Sequence, residues 1–148
     1  MDQPATETDM LDLWARFMRV SQAVLGAVEA DLKAAGFPPL AWYDALLELR
    51  RADPEGLRQF ELQEHMLLAQ YNMSRLVDRL VQAGYARREP CPEDGRGQVI
   101  CLTEKGRALI DAMWPAYRGA ITAHFGGKLG SDEATALAGM LERLRPRD

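Results

Sequence analysis

Cysteine is scarce: Cys91 and Cys101 are the only two in 148 residues, which excludes a disulfide framework. Histidine is as scarce. His65 and His124 stand far apart and in no ligand-spaced motif, so no metal site is expected. No apolar run approaches the roughly 18 to 20 residues that a membrane span needs. The acidic, polar start MDQPATETDM is unlike a secretory signal. These absences point to a cytoplasmic protein with no membrane association. Also missing are a nucleophile beside a base and a glycine loop that could cradle phosphate. No catalytic residue and no cofactor are therefore expected, and an enzyme is disfavoured.

What is present is ordinary for one folded domain, with 47% hydrophobic and 27% charged residues. The net charge of -4 does not advertise nucleic acid, but the charge is unevenly spread. Gln70 to Arg107 holds seven Lys/Arg against five acids and is +2, leaving the remainder at -6.

Apolar periodicity predicts a mainly helical chain. Leu13, Phe17, Val24, Val28 and Leu32 recur at helical spacing, widened by Trp14, Met18 and Leu25, so a long amphipathic helix is expected over about Asp9 to Ala34. Gly36 ends it, and Pro38-Pro39 opens a second helix to about Ala52. A short third helix is expected over Arg58 to Met66 and a fourth over Ala69 to Ala83, with Gly84 as its left-handed terminator. The period then changes. YARRE and QVICL read as two strands of a hairpin around PCPEDGRG. Thr103 can cap a fifth helix over Glu104 to Phe125, kinked by Pro115, and Ser131 can cap a sixth.

Two short helices, a tight turn and then a hairpin describe a winged helix-turn-helix, a unit whose second helix buries one face and offers the other to the DNA major groove. The fourth helix suits this role. Met73, Leu76, Val77 and Leu80 share one side, and Gln70, Tyr71, Asn72, Ser74, Arg75 and Arg79 fall broadly opposite. Such types donate to phosphates or read base edges, arginine on guanine and Asn or Gln on adenine. Asp78 is out of place near phosphates unless Arg75 or Arg79 pairs with it. In the hairpin, Arg96 between two glycines is slim enough to enter a narrow minor groove. Asp94 then holds an arginine or loop N–H groups.

The stretch SRLVDRLVQAGYARREPCPEDGRGQVICLTEKG, Ser74 to Gly106, resembles the multiple antibiotic resistance regulator (MarR) family. The resemblance lies in RLVDRL followed by a glycine, the paired Arg87-Arg88, the wing motif Asp94-Gly95-Arg96, and the run Leu102-Thr103-Glu104-Lys105-Gly106. It implies a single domain over 1–148. Residues 39–103 would form the winged helix-turn-helix DNA-binding lobe. The N- and C-terminal helices, about 9–36 and 104–145, would form a helical dimerisation region. It further implies a homodimeric repressor on a pseudo-palindromic double-stranded DNA operator, released by a small, often phenolic or aromatic, effector. Arg96 would enter the minor groove with Asp94 supporting it. Where the family often has small Ser, Thr or Pro at the start of the recognition helix, this chain has Ala69-Gln70-Tyr71-Asn72-Met73, so the operator sequence does not carry over.

The dimer is expected independently, because the outer helices carry apolar stripes that the winged unit is too small to cover. Trp14, Met18, Trp42, Tyr43 and His65 are candidates for lining an effector pocket, an aromatic wall with a few polar tips, and equally for ordinary core. Two alternatives are carried. One is a winged-helix module that binds protein. The other is a thiol switch using Cys91 and Cys101, which flank the wing and can lie across the hairpin from each other. The family's redox sensors mostly hold their reactive cysteine near the N-terminus, where this chain has none.

Overall fold

The computed structural model describes residues 3–70, 72–91 and 97–147. Its elements are α1 (Glu7–Ala34), α2 (Leu40–Arg51), α3 (Gln59–His65), α4 (Met73–Gln82), β1 (Ala86–Pro90), β2 (Gln98–Leu102), α5 (Glu104–His124), a single 3-10 turn (Gly126–Lys128) and α6 (Ser131–Leu144). Two compact units divide inside α1 and α5. The larger spans Leu32–Ala116. The smaller joins the chain up to Asp31 with the chain from Tyr117.

In the larger unit, α2 supplies Leu40, Tyr43, Ala45, Leu46 and Leu49 to the core, joined by Leu62 of α3 and by Met73, Leu76, Val77 and Leu80 of α4. Leu32, Ile110 and Met113 are buried as well. β1 and β2 pair antiparallel from Ala86↔Leu102 to Pro90↔Gln98. Leu57 adds a one-residue bridge to Ile100, each N–H bonded to the other's carbonyl.

The end of α4 is tightly built. Gly84 takes φ +85°, and the N–H groups of Gly84 and Tyr85 donate back to the carbonyls of Val81 and Leu80. This is the paired-bond stop that a left-handed glycine permits. The segment Thr103–Gly106 then serves two helices. Thr103 Oγ1 donates to Gly84 O at 2.7 Å and accepts from Gly106 N at 3.1 Å. Lys105 Nζ donates to Ala83 O at 2.7 Å and sits 4.8 Å from the Tyr85 ring centre. A cation thus meets the negative end of α4 while Thr103 caps α5.

Gly106 is tied to this junction by space. A Cβ there would lie on the Tyr85 carbonyl oxygen and 2.6 Å from Leu102 Cδ1. Alanine is the better helix former by about 1 kcal/mol, yet Gly106→Ala is expected to destabilise by about 1–3 kcal/mol, because the backbone it meets cannot give way. Chemical denaturation of the variant measures this, and an increase in stability would refute the packing argument.

In the smaller unit, Thr6 and Asp9 cap α1 reciprocally at 3.1 Å each way, so the helix starts earlier than periodicity suggests. The Thr6 hydroxyl and N–H hold the Asp9 carboxyl below its usual range. His124 Nε2 lies 2.8 Å from Asp31 Oδ2. Gly130, not Ser131, occupies the N-cap of α6, its N–H bonded to Glu133 Oε1 at 2.9 Å. No residue of α6 is buried, and Leu13, Trp14 and Phe17 of α1 are exposed.

Candidate nucleic-acid interface

α4 is sharply two-sided: Met73, Leu76, Val77 and Leu80 are buried, and Ser74, Arg75, Asp78, Arg79 and Gln82 are exposed. The helix begins at Met73 and not at the expected Ala69. Asn72 stops it from extending backwards, because its Oδ1 accepts from Arg75 N at 3.0 Å as an N-cap. Gln70 therefore precedes the helix, and its Nε2 donates to Ala69 O at 3.1 Å. Capping also changes what Asn72 can read. Bidentate recognition of adenine needs its carbonyl as an acceptor, and that oxygen is already engaged.

Ser74 Oγ accepts from Gln59 Nε2 at 2.9 Å, which ties α3 to α4 and leaves the serine proton for an outside acceptor. Asp78 pairs with Arg88 of β1, and not with Arg75 or Arg79 as its spacing suggests. That exchange matters electrostatically. The one carboxylate on this face is neutralised from the hairpin, while Arg75 and Arg79 make no side-chain ion pair or hydrogen bond among the described residues. Two guanidinium groups with no side-chain partner among the described residues then stand on an exposed helix face. Arg88 and Gln59 are site residues that helical periodicity does not reveal, because their partners lie on other elements.

Arg75 and Arg79 also line a cleft of about 290 Å³, with Trp42 of α2, the Pro39 that precedes that helix, and Gln70 and Asn72. Of the five residues expected at an effector site, Trp42 lines this cleft and packs edge-on against Tyr85 at 6.0 Å. Tyr43 is buried, stacked on Trp114 at 6.5 Å; burial pushes its phenol above the usual range. His65 is exposed at the end of α3, and Trp14 and Met18 belong to the smaller unit.

At the wing, Cys91 N donates to Gly97 O at 2.9 Å beyond the last strand pair. Arg58 Nη2 approaches Cys91 Sγ at 3.1 Å. Arg87 bonds the Leu102 carbonyl at 2.8 Å and Glu89 at 2.7 Å. The Arg87 hydrogen bond holds the Glu89 carboxyl below its usual range. Tyr71, Asp94 and Arg96, all expected at the DNA, lie outside the described residues.

The expectation that the cysteines face each other is corrected by register. Cys101 pairs with Arg87, four residues before Cys91. Along a strand that is about 13 Å, too far for a disulfide, which needs its Cα atoms within about 7 Å. Burial also pushes the Cys101 thiol up, away from the reactive thiolate.

A half-buried helix with an exposed cationic face, braced by a two-stranded wing, defines a winged helix-turn-helix DNA-binding protein. The MarR family model matches residues 35–97. The HTH-type transcriptional regulator YkoM of Bacillus subtilis is 31% identical over 134 residues, which is 90% of this chain and 84% of YkoM. The chain belongs to the MarR family of transcriptional regulators. Among solved structures, Streptomyces coelicolor Sco3205 in complex with DNA superposes with a TM-score of 0.82 at 23% identity, over 97% of this chain and 89% of that one. BpsR of Bordetella bronchiseptica, whose DNA binding is regulated by 6-hydroxynicotinic acid, superposes at 0.78 and 21%, over 99% and 100%. Among the described residues, no helix is long and apolar enough to cross a membrane.

Proposed function

We propose that this regulator is a homodimeric repressor that sets α4 of each protomer into successive major grooves of a pseudo-palindromic operator and the wing Arg96 into the flanking minor groove. The observation that carries the reading is the pair of arginines, Arg75 and Arg79, uncompensated among the described residues, on the exposed face of a helix whose other face is core. A two-fold dimer would space the recognition helices by about 34–36 Å, one turn of DNA. The exposed apolar residues of α1 and α6 support the dimer, since water-facing Leu13, Trp14, Phe17, Met140 and Leu144 gain by burial against a second copy.

The cleft beside α4 supports release by a small effector. Trp42 offers an aromatic wall, and Arg75 and Arg79 favour an anion. A flat aromatic carboxylate held there would take two cations from the DNA face, so effector and operator would compete.

The test is binding to duplex fragments enriched by the purified protein from random DNA. Affinity is expected to fall steeply with salt, with a log–log slope of about -0.9 per phosphate neutralised. A panel of aromatic carboxylates should weaken the complex, and less so after Trp42→Ala. Enrichment of no sequence would overturn the operator reading in favour of a protein-binding winged helix.

A further inference from the structure

A buried carboxylate lies in the DNA-binding lobe without taking part in the cationic face. Asp44, on α2, is only 5% exposed. Its Oδ1 accepts from Leu67 N at 3.1 Å and its Oδ2 from Leu68 N at 2.7 Å. These two amides sit in the turn of the helix-turn-helix. Met66 N closes the last turn of α3 on Leu62 O, and α4 starts only at Met73. From Leu67 to Gln70 the chain has no helical ladder to stiffen it. The Leu67 side chain cannot do so either, since it is 76% exposed.

We propose that Asp44 is a positioning residue for the recognition helix: its carboxylate clamps the turn between α3 and α4 onto α2 and so sets the angle at which Arg75 and Ser74 meet the bases. Three features favour clamping over mere burial of a polar group. The two oxygens serve two consecutive N–H groups, a geometry that one acceptor atom cannot reproduce. The bonds are charge-assisted and their acceptor is a buried side chain, which strengthens them over bonds made in water. Their target is the segment that carries the chain into α4, so any slack there is passed to the helix. The inference rests on α4 being the recognition helix.

Electrostatics and positioning make opposite forecasts. Removing a negative charge near the DNA face would, by Coulomb attraction alone, strengthen binding to every duplex. Loss of the clamp weakens binding where geometry counts, at base edges. Asp44→Asn keeps size but has one acceptor oxygen and turns an NH₂ group toward an amide N–H. It is expected to lower affinity for the enriched duplex by about tenfold, the scale of one bidentate base contact. Affinity for a shuffled duplex, governed by phosphates, should change by less than about twofold.

Three results would overturn the proposal. One is equal loss on both duplexes with a reduced active fraction in stoichiometric titration, which marks a fold defect. The second is unchanged or tighter binding to both. The third needs no variant: if the Leu67 and Leu68 amides of the parent protein exchange with solvent at the rate of an open turn, the clamp does not exist. Arg75→Ala is measured alongside. If it loses affinity while Asp44→Asn does not, the clamp alone fails. If Arg75→Ala binds like the parent, the recognition-helix reading fails.

Discussion

Arg75→Ala is expected to lower affinity for the selected operator by about 5- to 150-fold, the equivalent of about 1–3 kcal/mol for one bidentate base contact. Arg75 lies in the first turn of α4, and its backbone N–H is fixed by the Asn72 cap while its side chain has no protein partner among the described residues. A guanidinium in that condition is recruited without breaking an ion pair to any described residue. The substitution should also relax preference at one base position per half-site, which repeat enrichment from random DNA reads directly. Arg79, further along the same face, is expected to act more through phosphate, so Arg79→Ala should weaken binding uniformly across sequences and reduce the salt slope by about one. If Arg75→Ala left both affinity and preference intact, the face of α4 would be misassigned.

On the proposed homodimer, Leu141→Glu combined with Leu144→Glu is expected to give a monomer at micromolar concentration in sedimentation. Operator affinity should fall by about 100- to 10,000-fold, because each half-site would then bind without the effective concentration supplied by the other. The direction follows from where these residues sit. No residue of α6 is buried within one chain, and Leu144 is 66% exposed. The winged lobe has its own core of Leu46, Leu62, Val77 and Leu80, so the helical signal and lobe stability should survive. A variant that remained dimeric and bound DNA like the parent would remove α6 from the interface.

Asp78 shows how far the chain could be read in advance. Its place on the exposed face followed from helical spacing, but its partner did not. Arg75 and Arg79 are its neighbours by periodicity, yet Arg88 of β1 is the residue that reaches it. Arg88 comes alongside only because Gly84 reverses the chain and the hairpin folds back. The cysteines teach the same point: their symmetric placement about the wing suggested proximity, and the strand register separates them. Asn72 is a different case. A run of residues compatible with helix extends back to Ala69, and what ends the helix is a side-chain carbonyl competing for a backbone N–H. That competition is local, and the turn before it is bonded elsewhere, its Leu67 and Leu68 amides to Asp44.

By itself, the order of residues determined the helices, the hairpin, the terminator at Gly84, the Thr103 cap and the two-sidedness of α4. Each depends on groups within a few positions of one another, where the covalent chain dictates the distance. Only the tertiary structure decided which polar groups are spent and which are left over: Asp78 neutralised by Arg88, Asn72 used as a cap, Asp44 buried against the turn, Arg75 and Arg79 unpaired among the described residues. Those outcomes depend on which elements approach in space, and approach is set by how the buried faces of α2, α4 and β2 pack together. No spacing along the chain encodes that distance.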